Sequence, residues 1–190
     1  MRDTFDFLTT YGRGGRGVVL CFASGNDNAD YTLECPWAAY EKTIAVAAST
    51  DGETRAWYSN YGNGIDICAP SSGGTAGITT CDLLGGGNLA GHTGGGLDYR
   101  DNFGGTSSAT PLAAGLGALI LSVNRDFTWV EVRHILRDTA VRIDAANTDR
   151  IGQWVDTDGD GIPDYSQWYG RGRIDAHAAV NAAIVYPFNR

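Results

Sequence analysis

One serine of this chain lies among small residues directly ahead of an apolar segment. The stretch from Gly104 to Pro111 reads Gly-Gly-Thr-Ser-Ser-Ala-Thr-Pro, and the apolar residues continue to Val123. Glycines allow a second backbone to come close, and proline is tolerated in the first turn of a helix. The pattern therefore predicts a helix with Pro111 in its first turn. The backbone N–H groups and the positive dipole end of such a helix favour an anion that forms beside the serine.

The predicted helix has almost no polar stripe, since leucine, isoleucine, valine and alanine dominate the segment from Leu112 to Val123. A helix at the surface of a globular protein has one apolar face and one polar face. We therefore expect this helix to be buried on every side, with its N-terminus reaching a cleft.

The elements that would position this serine are continuous apolar runs, which are typical of strands buried on both faces of a parallel sheet. Three such runs are predicted as strands: Val18–Ala23, Thr43–Ala48 and Ile65–Pro70. The first ends at Ser24-Gly25-Asn26, and functional groups of open α/β sheets collect beyond the carboxyl ends of strands. A capping box at Thr128 predicts a later amphipathic helix.

The serine stretch resembles the nucleophile motif of the subtilisin-like serine proteases, Gly-Thr-Ser-x-Ala-x-Pro. The matching residues are Gly105, Thr106, Ser107, Ala109 and Pro111. The resemblance implies that Ser107, and not Ser108, is the nucleophile. It also implies that Asn26, in an Ala-x-Gly-Asn stretch, donates to the oxyanion together with the Ser107 N–H, and that substrate binds along Ala23, Ser24, Gly25 and Thr106.

Further stretches extend the resemblance from about Gly17 to about Ile184, including Tyr58–Gly62 and a closing turn at Tyr169–Ala176. It implies an α/β fold, a three-layer sandwich with a mostly parallel central sheet. We interpret residues 1–190 as the C-terminal portion of a subtilisin-like catalytic domain whose N-terminal part is missing. The run from Thr106 to Gly115 leans toward kexin-like members, although the acidic residues that select basic side chains are not evident.

The base that must activate Ser107 is not visible in the expected place. The family orders aspartate, histidine and serine along the chain, and no Asp-Thr-Gly or His-Gly-Thr pattern precedes Val18. A serine without a base is a weak nucleophile. His92 lies in a glycine-rich insertion (Gly85–Asp101), and His134 and His177 lie in predicted helices without a motif.

The resemblance therefore implies an endopeptidase that acts on polypeptides, with this chain inactive until the missing N-terminal part joins it. Two alternatives remain: a pseudoprotease that binds peptides without cutting them, and a non-catalytic calcium-dependent structural or binding module.

A run of alternating aspartates predicts a Ca²⁺ site in a structural role. Asp156, Asp158, Asp160 and Asp164 occupy positions 1, 3, 5 and 9 of a calcium-type loop, and position 7, Ile162, would offer its carbonyl. Position 12 carries Gln167 in place of the usual glutamate. A solvated acidic hairpin is the other interpretation of this loop.

Composition excludes several other classes. A net charge of −8 argues against nucleic acid and anionic membranes as partners, and no uninterrupted apolar run approaches the roughly 20 residues that span a bilayer. The segment Gly12–Gly17 fits Gly-x-Gly-x-x-Gly, but it lies between a helix and a strand, the reverse of a dinucleotide site. The resemblance implies a secreted or cell-envelope protein, although no signal peptide is visible.

The four cysteines indicate little about function. Cys21 and Cys68 lie in predicted strands as buried thiols, whereas Cys35 and Cys81 could pair in an oxidising compartment.

Overall fold

The computed structural model describes residues 1–82 and 98–186. Three strands form a parallel sheet in the order β1-β2-β3. They are β1 (Cys21–Ala23), β2 (Ile44–Ser49) and β3 (Ile67–Pro70). All six residues of β2 are buried, as the apolar runs predict for a central strand covered on both faces. A second, antiparallel pair consists of β4 (Ile78–Cys81) and β5 (Tyr99–Phe103).

Five helices complete the described chain. They are α1 (Arg2–Gly15), α2 (Tyr31–Glu34), α3 (Thr106–Val123), α4 (Trp129–Asp138) and α5 (Ala176–Val185). Helix α4 begins at the predicted capping box, in which Thr128 and Glu131 exchange hydrogen bonds. The backbone of α1 departs from helical angles at Gly12, Arg13 and Gly14, so the Gly12–Gly17 segment connects a helix to a strand.

The sheet separates two apolar clusters. On one face, Ile44, Val46 and Ala48 of β2 pack with α3, α4 and α5. On the other face, Ala45 and Ala47 contact a cluster that contains Tyr31 and Tyr169. This arrangement is the predicted α/β three-layer architecture with a parallel central sheet.

Helix α3 packs against all three parallel strands but is not buried on every side. Leu112, Leu119 and Val123 are 38%, 51% and 38% exposed, while Ala113, Leu116 and Ile120 on the opposite face are buried. The prediction of complete burial is wrong because the described chain supplies neighbours on one side of the helix alone. By length and mean hydropathy, 1.4 over 18 residues, α3 could also cross a membrane. Its contacts here are those of a core helix.

The first strand is shorter than its apolar run. The Val18 N–H donates to the Leu8 carbonyl of α1 at 3.0 Å. The start of the predicted strand is therefore bonded to α1 and not to β2. Pairing with β2 begins at Cys21.

Ion pairs from one buried carboxylate to two arginines of α4, Arg133 and Arg137, join the sheet to this helix. Asp66, which is 2% exposed, accepts the Ala45 N–H at 2.9 Å through Oδ2 and the Arg133 Nε–H at 2.7 Å through Oδ1. Because both carboxylate oxygens are engaged, Asp66 holds the entry to β3 against β2 and α4 together.

We predict that Asp66→Ala lowers the free energy of unfolding by about 3 kcal/mol, because it leaves the buried Ala45 N–H without an acceptor and the Arg133 guanidinium without its charged partner. The matched control is Asp126→Ala, which breaks the exposed Arg16–Asp126 pair and should cost less than about 1 kcal/mol. Urea unfolding of the two variants measures both values. Equal losses would contradict the role assigned to Asp66.

Candidate active site

The N-terminus of α3 presents Ser107 to solvent and hides Ser108. The helix begins at Thr106 after Gly105, whose φ of 76° lies in the region that glycine tolerates best. Ser107 is exposed, whereas Ser108 is 1% exposed. The two neighbouring serines therefore differ completely in their access to a substrate.

The Ser108 hydroxyl is held by hydrogen bonds within the fold. Its Oγ lies 2.8 Å from the Ser71 Oγ and 3.1 Å from the Gly105 carbonyl oxygen. The Tyr58 hydroxyl accepts the Gly105 N–H at 3.1 Å. Tyr58 and Ser71 thus fix the turn before Ser107, and the Ser108 hydroxyl is part of the same hydrogen-bond network.

Asn26 joins the end of β1 to the start of α3. Its Oδ1 accepts the Thr106 backbone N–H at 2.8 Å and the Thr106 hydroxyl at 3.0 Å. The same hydroxyl accepts the Gly25 N–H at 3.3 Å. Because Oδ1 is engaged, the Nδ2 end of the Asn26 amide is the end available to a ligand.

Two N–H donors meet at Gly105, where an added Cβ would lie 3.4 Å from Nδ2 of Asn26 and 3.6 Å from the Ser107 nitrogen. The Ser107 N–H is in the first turn of α3, where backbone N–H groups have no intrahelical acceptor, and it makes no hydrogen bond to any described residue. Nδ2 of Asn26 likewise has no acceptor among residues 1–82 and 98–186. Two N–H donors without a partner at a helix N-terminus can stabilise an oxyanion.

Pro111 lies one turn later than the sequence suggested. Since α3 begins at Thr106, Pro111 is the sixth helical residue and sits inside the helix, so the prediction of a first-turn proline is wrong. At this position the ring removes the N–H that would bond to the Ser107 carbonyl.

The predicted substrate-binding residues surround this contact, but two of their side chains are buried. Ser24 and Thr106 are both 0% exposed, and the Thr106 hydroxyl is used in the bridge between Gly25 and Asn26. Ala23 is the last residue of β1 and pairs with Val46. The backbone of Ser24 and Gly25 is engaged as well, since Asn60 donates to both of their carbonyl oxygens.

Histidines do not contribute to the described site. His134 on α4 and His177 on α5 are exposed, and the His177 ring contacts Asn181. Within the two described ranges no histidine hydrogen-bonds to Ser107. His92 and most of the Gly85–Asp101 insertion lie outside the described residues.

The acidic loop brings three of its four predicted carboxylate ligands together. Oxygen atoms of Asp156, Asp158 and Asp160 lie within 4.8 Å of one another. Backbone N–H groups of Gly159 and Gly161 hold the pKa of Asp156 below its ordinary value. The structure does not bring Asp164 into this group.

Asp164 accepts from the Thr157 N–H at 3.0 Å and forms an ion pair with Arg171. The nearby guanidinium explains this arrangement, because it offers the carboxylate a charged partner. Ile162, the predicted carbonyl ligand, has a 63% exposed side chain and donates its N–H to Asp160.

All four cysteines are free thiols in the structure, so Cys35 and Cys81 are not paired. Burial raises the pKa of Cys21 and of Cys68 to about 12. Both thiols therefore stay protonated and unreactive at neutral pH, as expected of strand cysteines.

Sequence reasoning assigned no role to Tyr58 and Asn60, although it noted their stretch. Tyr58 fixes the turn before Ser107, and Asn60 bonds to the segment that contains Asn26. The available signal was a polar and aromatic cluster between two buried strands, where loops often carry function.

Comparison with known proteins identifies the family of this chain. The model of the subtilase family, peptidase S8, matches residues 3–172. The chain is 41% identical, over 96% of its length, to a calcium-dependent protease of Trichormus variabilis. It is 34% identical, over 86% of its length, to the halolysin-like extracellular serine protease Nep of Natrialba magadii.

The chain spans 27% and 23% of the lengths of these two relatives. The crystal structure of a serine protease of Aeromonas sobria superimposes with a TM-score of 0.83 at 22% identity. That comparison covers 97% of this chain and 39% of the other, and it supports the fold. With a family match over most of its length and relatives well above 30% identity, the chain belongs to the subtilase family.

Proposed function

We propose that residues 1–190 form the C-terminal portion of the catalytic domain of a serine endopeptidase, with Ser107 as nucleophile and Asn26 as oxyanion donor. The observation that carries the proposal is the Asn26–Thr106 contact of 2.8 Å. It holds the amide of Asn26 beside an exposed serine and orients Nδ2 as the free donor.

The chemistry assigned to Ser107 is acyl transfer. Its Oγ attacks the carbonyl carbon of a peptide bond while a base takes the hydroxyl proton, and the carbonyl oxygen becomes an oxyanion. Asn26 Nδ2–H and the Ser107 N–H stabilise that charge. The C–N bond then breaks, the amine leaves with the proton, and water releases the acyl group from Ser107.

Substrate specificity follows less directly from the site. Binding of a polypeptide along Ala23–Gly25 stays a prediction, since Ser24 is fully buried and the Gly25 N–H and carbonyl are bonded to Thr106 and Asn60. The resemblance of the Thr106–Gly115 run to kexin-like members stays a prediction. We propose no preference for cleavage at paired basic residues.

The base and its carboxylate partner would come from a preceding part of the catalytic domain. Two open surfaces support this proposal. The outer edge of β1 has no partner strand within the described chain, and the exposed side of α3 borders an apolar cavity of about 440 Å³. The cavity is lined by Pro70, Leu112, Leu119 and Ile174, among others, and an apolar surface of this kind is suited to cover by another segment.

We also propose that Asp156, Asp158 and Asp160 hold a structural Ca²⁺, with Ile162 offering its carbonyl. Oxygen ligands on three converging carboxylates fit the chemistry of this cation, and a relative is named for calcium dependence. Bound Ca²⁺ would neutralise the repulsion among these aspartates. Asp164, paired with Arg171, would brace the loop from outside the ligand set.

A secreted or cell-envelope location fits this function, because one relative is named extracellular. A pseudoprotease that binds peptides without cutting them is the second candidate. It is favoured because no histidine of the described residues hydrogen-bonds to the Ser107 hydroxyl. A calcium-dependent binding module without catalysis is the third, favoured by the acidic loop.

Hydrolysis of a broad peptide substrate tests the assignment. The chain alone should show no turnover, and the chain joined to a preceding segment with the family's aspartate and histidine should cleave the peptide. Ser107→Ala should lower that rate about 10⁶-fold because it removes the nucleophile. Ser122→Ala, an exposed serine of the same helix, is the control and should change little.

Turnover by the chain alone that depends on Ser107 would contradict the proposal that the base lies elsewhere. No turnover by the joined protein would instead support the pseudoprotease.

The different roles of the two serines predict different effects on stability. Ser108→Ala should lower the free energy of unfolding by about 1–2 kcal/mol because it removes a buried hydrogen bond. Ser107→Ala should change it by less than about 0.5 kcal/mol, since the hydroxyl is exposed. Guanidinium unfolding measures both, and the reverse order would contradict the assignment of Ser107.

Ca²⁺ at about a hundred times its Kd should raise the Tm by about 5–10 °C. Asp158→Ala should abolish this rise because it removes one of three converging ligands. Asp101→Ala, an exposed aspartate of β5, should keep it. Calorimetry with and without a chelator measures the shift. A wild-type Tm that Ca²⁺ does not change would contradict the proposed calcium site.

A further inference from the structure

We propose that Asn60 is a positioning residue for the oxyanion donor Asn26. The inference rests on the function proposed above and adds a residue to it. Asn60 is 0% exposed and lies in the connection between β2 and β3. It is 34 positions from Asn26 in sequence, and its side chain bonds to the residues on both sides of Asn26.

The acceptor end of the Asn60 amide holds the segment after Asn26. Oδ1 accepts the Asp27 N–H at 2.8 Å and the Ala29 N–H at 3.1 Å. The donor end holds the segment before it, since Nδ2 donates to the Ser24 carbonyl at 3.0 Å. Nδ2 also lies 3.4 Å from Asp27 Oδ2.

The Asn60 backbone adds a fifth bond, in which its N–H donates to the Gly25 carbonyl at 2.9 Å. Gly25 has a φ of 104°, and a Cβ there would overlap the Asn60 amide. The Ser24–Ala29 turn therefore closes around this one side chain, and Gly25 is the residue type that permits the close approach.

The geometry requires an amide at position 60. An asparagine side chain can accept two hydrogen bonds and donate two, and all four are used here. Aspartate would lose both donors and place a second carboxylate beside Asp27. Alanine would leave the Asp27 and Ala29 N–H groups without an acceptor. Since Asn26 lies between the anchored residues, either change should let its Oδ1 move relative to the Thr106 N–H.

NMR of the 190-residue chain tests the proposal without any need for turnover. Asn26→Ala identifies the side-chain amide signals of Asn26. In Asn60→Ala the Thr106 amide should exchange with solvent about tenfold faster, because its acceptor is no longer fixed, and the Asn26 amide signals should shift. Asn60→Asp keeps the acceptor end of the side chain and should give smaller changes in the same signals. This variant is the alternative test if Asn60→Ala does not fold.

The control separates positioning from a general loss of stability. Thr43→Val removes a buried hydroxyl that bonds to the Tyr40 carbonyl, at the opposite end of the parallel strands. It should lower the Tm and leave the Asn26 and Thr106 signals unchanged.

Unchanged Asn26 and Thr106 signals in a folded Asn60 variant would overturn the proposal, as would equal changes in Thr43→Val. Failure of the proposed function would look different, since an unreactive Ser107 leaves these signals and their dependence on Asn60 intact.

Discussion

The hydrogen bond from the Thr106 N–H to Asn26 Oδ1 connects the two parts of the molecule on which its proposed chemistry depends. One partner follows the edge strand β1, and the other begins the core helix α3. Because this bond uses the acceptor end of the amide, Nδ2 is the end of Asn26 that has no partner among the described residues. On the Asn26 side the buried Asn60 accepts the Asp27 N–H, and on the Thr106 side the Tyr58 hydroxyl accepts the Gly105 N–H.

Helix α3 must both pack against the sheet and present Ser107, and its composition suits both roles. Its inner face packs on the parallel sheet through Ala113, Leu116 and Ile120, and its first turn presents Ser107. Its outer face, with Leu119 half exposed, borders an apolar cavity that the described chain leaves open. On our proposal, the same helix supplies both the nucleophile and the docking surface for the segment that brings the base.

The sequence predicted those features that depend on local pattern. The buried run of β2 and the capping box of α4 have signatures within a few residues, and the spacing around Ser107 identified the family. The exposed face of α3 could not be predicted, since a helix that is apolar all round does not show which neighbours are absent. The role of Asn60 was also invisible, because its partners lie 31 to 36 positions away. The spacing of the aspartates from Asp156 to Asp164 likewise could not show that Asp164 forms an ion pair with Arg171.

The central claim is that Asn26 and Ser107 form one oxyanion site, and covalent labelling with a fluorophosphonate tests it most directly in the chain joined to its proposed preceding segment. Peptide mapping should place the label on Ser107, and Asn26→Ala should slow labelling about 100-fold, a magnitude taken from loss of such a donor in a subtilisin. Attachment at Ser108, or a labelling rate that does not depend on Asn26, would contradict the account.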